Sequence, residues 1–160
     1  MNKTKTLVLA LLFLGAASGA SAQNPATVNP ELVRLRYMVT DVSTAVAFYT
    51  TKLGFKLDMQ SGPYFAALSR GGVQLLLSPT KGPGGASQPM PNGEKPTPGG
   101  WNRMVLYTTD LQGDVERLRK TGVRFRNEIV IGQGGNEILL DDPSGNAVEL
   151  FQPTLVAAPK

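Results

Sequence analysis

Few side chains in this sequence could carry out chemistry. Among its 160 residues there is no histidine and no cysteine, which excludes the commonest general base, a thiol nucleophile and the usual nitrogen and sulfur ligands of a metal. Three carboxylates, those of Asp141, Asp142 and Glu149, lie close together near the C-terminus. Paired carboxylates can act as general acid and base, which is the catalytic interpretation of Asp141 and Asp142.

The residues around these carboxylates predict a β-hairpin. Ile138 to Leu140 is a short apolar strand, Asp142 to Gly145 has the composition of a tight turn, and Ala147 to Phe151 is the second strand. Proline presets φ for the second position of a turn, and glycine tolerates the positive φ that a hairpin turn needs. A turn therefore explains the two aspartates better than a catalytic pair does. Local chemistry alone favours an exposed Glu149 near the end of the second strand.

Other chemical candidates have ordinary structural explanations. Ser144 has no histidine partner and no nucleophile-elbow context. The glycine-rich run Gly132 to Gly135 precedes a predicted strand rather than a helix, so it is not a phosphate-binding fingerprint. Trp101 is more typical of packing than of a ligand platform. The formal charge of +4 is small and scattered, which does not indicate nucleic-acid binding.

The N-terminus has the pattern of a signal peptide over residues 1–22. Lys3 and Lys5 form a basic region, Leu7 to Leu14 is apolar but too short to span a bilayer, and Ala20 to Ala22 fits the small-residue cleavage rule. An uncleaved anchor is the alternative, and the lack of cysteine excludes a lipoprotein. We therefore expect an exported protein, periplasmic or secreted, with no stable membrane anchor after cleavage.

The first half of the remaining chain predicts one strand, one helix and three strands. After a flexible arm at residues 23–31, residues 33–40 alternate with the period of a strand. Asp41 can cap a helix that Gly54 ends, and strands follow at 55–59, 64–69 and 73–78. The alternation places Leu35, Tyr37 and Val39 on one face and Arg34, Arg36 and Met38 on the other.

The second half repeats this order. Between the halves, 11 of the 20 residues from Lys81 to Gly100 are glycine or proline, which is typical of a connector and leaves a lid as the alternative. A strand at 103–110 then leads into a helix that Gly122 ends. Strands are predicted at 123–126, with a possible extension to Ile131, and at 137–140 and 147–151. Asp110 follows Asp41 by 69 positions, so the halves form an internal repeat.

The repeat resembles the vicinal oxygen chelate superfamily, which includes glyoxalase I, extradiol dioxygenases and bleomycin-resistance proteins. The matching residues are Val39-Thr40-Asp41, Ala47-Phe48-Tyr49, Leu53-Gly54-Phe55, Tyr107-Thr108-Thr109-Asp110 and Asp142-Pro143-Ser144-Gly145-Asn146 with Glu149-Leu150. The resemblance implies an α+β fold in which paired βαβββ modules form a cup-shaped mixed sheet. It assigns residues 32–153 to the domain, with modules at 33–78 and 101–152, a linker at 79–100 and a tail at 154–160. Such modules often pair between chains, so a homodimer is possible.

The resemblance also implies where a metal would bind. The family's ligand positions, in the first and last strand of each module, fall here on Arg34, Leu75, Arg103 and Glu149. Leucine has no donor and guanidinium groups repel a cation, so only Glu149 could hold a metal. One carboxylate is not a catalytic metal site. We therefore expect no metal and no cofactor.

Arginines take the place of metal ligands in this interpretation. Strand alternation places Arg34, Arg36, Arg103, Tyr107, Glu149 and Phe151 on the cup face. One possibility is that an arginine pairs with Glu149 and satisfies a partly buried carboxylate. The other is that the surplus positive charge receives an anionic small molecule, whose apolar part packs on Tyr107 and Phe151.

Three classes of function follow from the sequence. The first is a metal-free module that binds a small, anionic molecule. The second is a lyase of glyoxalase type or an oxygenase of dioxygenase type with a non-standard site, and its catalytic residues are unknown. The third is a structural or interaction domain without a ligand.

The signal-peptide prediction can be tested directly. We expect cleavage after Ala22, because a basic region, an apolar region and small residues occur in that order. Mass spectrometry of the protein from its native host measures the mature N-terminus. A mature chain that still carries residues 1–22 would contradict the prediction.

Overall fold

Two segments of the chain fold into units with the same order of elements. In the computed structural model, which describes residues 34–154, the predicted signal peptide and N-terminal arm lie outside the described residues. The first module contains β1 Arg34–Val39, α1 Val42–Leu53, β2 Lys56–Ser61, β3 Phe65–Arg70 and β4 Val73–Pro79. The second contains β5 Met104–Tyr107, α2 Leu111–Lys120, β6 Val130–Ile131, β7 Gly135–Asp141 and β8 Ala147–Pro153.

The two sheets have the same topology. The first has the strand order β1-β4-β3-β2 and the second β5-β8-β7-β6. In each module the first and last strands pair in parallel, and the remaining pairs are antiparallel. Asp41 and Asp110 occupy equivalent positions, because each caps a helix by accepting the backbone N–H of that helix's third residue. The predicted repeat and the α+β fold of paired βαβββ modules are confirmed.

The core lies on the helix side of both sheets. Tyr37 and Val39 of β1 and Leu75 and Leu77 of β4 are buried there, as the alternation predicted for the first strand. Five residues of α1 and three of α2 complete one continuous cluster: Val42, Ala45, Val46, Tyr49, Leu53, Leu111, Val115 and Leu118. The opposite faces of the two sheets do not pack against the helices, and we call them the cup face.

One predicted strand is wrong. Residues 123–126 make only a short bridge to β7, between Phe125 and Leu140, and the edge strand of the second sheet is Val130–Ile131, at the end of the possible extension. The reason is that the side chain of Asn127 accepts a hydrogen bond from the backbone of Leu139 at 2.8 Å. A side-chain oxygen thus replaces the next backbone carbonyl, and the regular ladder ends.

The turn after β7 joins the two modules. Gly145 has φ 84° and its N–H donates to the carbonyl of Asp142, so the predicted turn is confirmed. The Asp142 side chain, only 3% exposed, accepts bonds from the backbone of Ser144 and of Asn146 and from the Asn146 amide, at 2.8–2.9 Å. It also accepts the hydroxyl of Tyr49 in α1 at 3.1 Å. Burial and the charge of Asp142 both raise the pKa of Tyr49, which therefore stays a donor.

Neighbouring side chains extend this junction. The Asn146 amide donates to the carbonyl of Met38, and the Ser144 hydroxyl accepts the backbone N–H of Thr40. The Tyr37 hydroxyl donates to the carbonyl of Ala147 at 2.8 Å and accepts the N–H of Met104 at 2.9 Å. The strand β1 is therefore fixed to the β7–β8 turn and to the start of β5 by polar side chains, of which Tyr37 and Asn146 are buried.

The segment between the modules also contacts this turn. It contains a short 3₁₀ helix at Gly85–Ser87, and the Ser87 hydroxyl donates to the carbonyl of Pro79 at 2.6 Å. The backbone N–H of Gly99 donates to Asn146 at 2.8 Å. Within residues 34–154, neither α-helix is long and apolar enough to cross a membrane.

Replacing Asp142 by alanine should destabilise the protein by about 3 kcal/mol or more, because four donors around a buried position lose their acceptor. The measurement is the free energy of unfolding from urea denaturation. Asp110→Ala is the matched control, since it removes an exposed helix cap worth about 1 kcal/mol. Equal losses in the two variants would contradict the role of the buried turn.

Candidate functional site

The cup face carries the predicted site residues. In the first sheet Arg34 lies opposite Gln74 and Arg36 opposite Leu76. In the second sheet Val105 lies opposite Glu149 and Tyr107 opposite Phe151. Arg103 precedes β5 by one residue and reaches Glu149 with its side chain. The two sheets each contribute one cluster, and no hydrogen bond or ion pair among the described residues joins the clusters.

Leu75 does not belong to this face. It pairs with Leu35, is fully buried and packs in the core on the helix side. Its neighbours Gln74 and Leu76 lie on the cup face instead, because successive side chains of a strand point to opposite faces. The expected ligand position on β4 was therefore displaced by one residue. The residue of β4 that faces the cup is therefore Gln74 or Leu76, and neither a neutral amide nor an apolar side chain is an anionic metal ligand.

Arg103 and Glu149 form an ion pair. The Arg103 Nε atom lies 2.6 Å from Oε2 of Glu149, and the Glu149 side chain is 8% exposed. Hydrogen bonding to Glu149 raises the pKa of Arg103 despite the opposing effect of burial, and the charges of Glu149 and Glu137 add to the rise. Glu149 is therefore not the exposed residue that local chemistry favoured. Of the two possibilities for this carboxylate, the structure supports pairing with an arginine.

Aromatic side chains lie beside this pair. The rings of Tyr107 and Phe151 are 5.6 Å apart at 59°, and Tyr107 is 71% exposed. Trp101, 74% exposed, lies against Arg126 at 5.5 Å, and Arg126 in turn binds the buried carboxylate of Asp141 at 2.6 Å. The cup face of the second sheet thus offers flat apolar surface around charges that are already paired.

The cup face of the first sheet has unmatched positive charge. Arg34 donates to Gln74 Oε1 at 2.6 Å, and Gln74 and Ser69 both donate to the Asp58 carboxylate. Arg36 donates to the hydroxyl of Ser78, and its guanidinium lies 5.9 Å from the ring centre of Phe65. Neither arginine forms an ion pair with a residue of 34–154. Each keeps most of its five N–H donors available.

The two clusters therefore differ in charge. Arg103 faces two carboxylates, those of Glu149 and Glu137, whereas Arg34 and Arg36 face one, and Arg34 reaches Asp58 only through Gln74. An anion would be attracted to the first sheet rather than to Arg103. The predicted set of three arginines divides into one structural residue and two available ones.

The donor set does not suit a divalent metal ion. No group of three or more acidic, histidine or cysteine side chains converges anywhere in residues 34–154. On the cup face the carboxylate nearest the expected position is already bound to a guanidinium. A metal there would need several more oxygen or nitrogen donors and would be repelled by Arg103.

Several contributors to the first cup cluster, among them Asp58, Phe65, Gln74 and Ser78, were missed by reasoning on the sequence. Asp58 reaches Ser69 and Gln74 from a strand whose register shifts between Leu57 and Met59. Such a bulge leaves no reliable mark in sequence. Gln74 could have been found, because it precedes Leu75 and alternation places the two on opposite faces.

The sequence matches a family model described as the Glyoxalase/Bleomycin resistance protein/Dioxygenase superfamily over residues 31–150. With the paired modules and the cup face described above, this places the chain firmly: it belongs to the Glyoxalase/Bleomycin resistance protein/Dioxygenase superfamily.

Individual relatives agree with this assignment. The uncharacterized protein YurT of Bacillus subtilis is 27% identical over 129 residues, covering 76% of this chain and 98% of YurT. The structure is similar to TnmS3, an antibiotic binding protein from Streptomyces sp. CB03234, with a TM-score of 0.58, 25% identity and coverage of 76% and 93% of the two chains. It is also similar to lactoylglutathione lyase from Agrobacterium tumefaciens, with a TM-score of 0.59, 18% identity and coverage of 81% and 96%. The latter likeness concerns the fold alone.

Removing one partner of the Arg103–Glu149 pair should be worse than removing both. Arg103→Met leaves a buried carboxylate unpaired and should cost about 1–3 kcal/mol, a range reduced because the arginine is 34% exposed. The double variant Arg103→Met with Glu149→Leu should recover much of this loss, because two apolar side chains replace two charges.

Urea denaturation of the wild type, both single variants and the double variant gives the coupling energy. Additive losses would show that the two side chains do not depend on each other.

Proposed function

We propose that this chain is a metal-free binding member of its superfamily that holds a small anionic molecule on the cup face. The observation that carries the proposal is the chemistry at the family's ligand positions. Arg34 and Arg103 stand at two of them, an amide or leucine stands at the third, and the carboxylate at the fourth is bound to Arg103 at 2.6 Å. Guanidinium groups bind carboxylates and phosphates rather than cations.

The anionic group is assigned to the first sheet. Arg36 and Arg34 carry positive charge with no ion-pair partner among residues 34–154, and the Phe65 ring lies beside Arg36. A planar guanidinium can bind two oxygens of a carboxylate or phosphate side by side. Phe65 gives an apolar contact next to that fork. A ligand with an acidic group and a flat apolar part would match both.

The second sheet offers the apolar side of the cup. Tyr107, Phe151 and Val105 present a partly exposed surface, and Arg103 with Glu149 lies between them without net charge. Binding of an apolar ring to such a surface is driven mainly by removal of apolar area from water. In this proposal the second sheet contributes affinity and the first sheet contributes charge selection.

The comparison with TnmS3 favours binding over catalysis. That protein is described as an antibiotic binding protein and is 25% identical to this chain. The alternative is an enzyme of glyoxalase or dioxygenase type with a non-standard site. A lyase of similar fold supports this enzyme hypothesis, but the described residues contain no cluster of metal ligands. The third possibility is a structural or interaction domain that binds no ligand. If the predicted signal peptide is cleaved, the protein binds its ligand outside the cytoplasm.

Two measurements distinguish the three classes. Elemental analysis of purified protein should find less than stoichiometric Zn, Ni, Mn and Fe, and about one equivalent of metal in active protein would favour the enzyme. A thermal-shift screen with small aromatic carboxylates and phosphates tests for binding, because a ligand that binds only the folded state raises the melting temperature. No shift with any acidic compound would favour the structural domain.

Replacing Arg36 by glutamine should weaken binding of an aromatic carboxylate found in that screen by about tenfold or more, the scale of a charge-assisted hydrogen bond. Titration calorimetry measures the affinity. Arg119→Gln is the matched control, because it removes an exposed arginine of α2 that pairs with Glu128 away from the cup face. The neutral amide of the same compound should bind weakly to the wild type. Equal affinity for acid and amide would contradict the role of the arginines.

A further inference from the structure

A second concave site lies between the modules and shares only Tyr107 with the cup clusters. It is formed by the C-terminal turn of α1, the end of β3, the end of β5 and one side of α2, and it encloses about 290 Å³. Its polar lining comes from Thr51, Lys52, Arg70, Thr108, Asp114 and Arg117. A shallower hollow of about 500 Å³ adjoins it and shares Arg70, Tyr107 and Thr108. We call the two together the junction groove.

One acidic and one basic residue of the junction groove are already paired. The Asp114 carboxylate accepts the Thr108 hydroxyl and an Arg117 N–H, both at 2.7 Å. Partial burial opposes ionisation, but these two hydrogen bonds and the positive charges of Arg117 and Arg70 lower the pKa of Asp114. Arg117 also donates to the backbone carbonyl of Lys52 at 3.2 Å. Asp114 and Arg117 therefore form a fixed wall with little net charge.

Two cations in the junction groove have no such partner. Arg70 and Lys52 are both half-buried, and neither side chain forms a hydrogen bond or ion pair with any residue of 34–154. Lys52 lies in the last turn of α1, where the helix dipole favours a cation. That effect does not apply to Arg70, which ends β3 at a Gly-Gly turn. Both oxygens of Asp114 are occupied by other donors, so Arg70 is attracted to that carboxylate only at longer range.

We propose that the junction groove is an anion site that takes a phosphate group, with the Arg70 guanidinium as its main ligand and Lys52 as a second positive charge. A guanidinium presents its N–H donors in a fork that matches two phosphate oxygens, and an ammonium adds a point charge. Tyr107, whose ring lines the same hollow, can place its hydroxyl at the rim. The site uses neither Arg34 nor Arg36, so its cations differ from those proposed to bind the ligand of the cup face, and Tyr107 borders both sites.

The junction groove is lined by residues of both modules. Lys52 and Arg70 belong to the first module, whereas Tyr107 and Thr108 belong to the second. A phosphate group held between them contacts both modules. Phosphate should therefore stabilise the junction as well as occupy it.

Titration of the full chain with inorganic phosphate at low ionic strength tests the site, with binding followed by calorimetry and by amide NMR shifts. Arg70→Gln should weaken phosphate binding by about tenfold or more, since it replaces a charged donor by a shorter, neutral amide. The matched control Arg119→Gln, which removes an exposed arginine paired with Glu128, should leave it unchanged. Arg36→Gln should leave the NMR shifts of the groove residues unchanged. Asp114→Asn removes the competing negative charge and should strengthen binding, which a purely structural role for the carboxylate would not predict.

Each result decides the assignment. No phosphate binding by the wild type, or equal binding by the wild type and a folded Arg70→Gln variant, overturns it. If Arg36→Gln loses phosphate binding while Arg70→Gln keeps it, the assignment is also overturned and phosphate binds on the cup face. Weakened binding in Arg70→Gln together with NMR shifts confined to residues of the groove supports it, even if the cup face binds nothing.

Discussion

The structure depends on one buried carboxylate, that of Asp142, which forms no ion pair with any residue of 34–154. Burial removes the Asp142 carboxylate from water, which costs free energy. Hydrogen-bond donors from its own turn and from Tyr49 of the other module offset this cost. Because the donors come from both modules, satisfying the carboxylate also fixes how the modules meet. Asn146 serves the same purpose with a neutral group, since it binds Asp142, Met38 and Gly99. The hairpin is thus a polar joint inside an apolar core.

The joint determines what each sheet can offer a ligand. Tyr37 bridges the backbone of Ala147 in β8 and of Met104 in β5, and the register of these two strands places Glu149 within reach of Arg103. The second sheet consequently presents a neutralised pair among aromatic rings. The first sheet does not receive an equivalent carboxylate, because Leu76 lies where symmetry with Glu149 would place one, and its arginines stay available. A repeat that is nearly symmetric in backbone has become asymmetric in charge.

The sequence was a good guide wherever periodicity decides the structure. Alternation identified the buried and open faces of β1, and the spacing of Asp41 and Asp110 identified equivalent helix caps. It was a poor guide where one side chain interrupts a pattern. Asn127 ends a ladder that residues 123–126 begin, and the ligand position assigned to Leu75 was one residue out of register. The burial of Asp142 was not predictable either, because its partner Tyr49 lies 93 residues away. The pairing of Glu149 with an arginine, 46 residues away, was one of the two possibilities that strand alternation left open.

The sequence separation of those partners has a consequence for how long the native state persists. Each parallel pair closes a loop within its own module, whereas the contacts of the turn join residues 93 to 110 positions apart. Closing the longer loops costs the most chain entropy, so we expect the modules to dock after their sheets have formed. Interactions that form late chiefly slow unfolding. The hairpin should therefore act as a kinetic latch, with the lifetime of the folded protein set by how seldom one small polar turn opens.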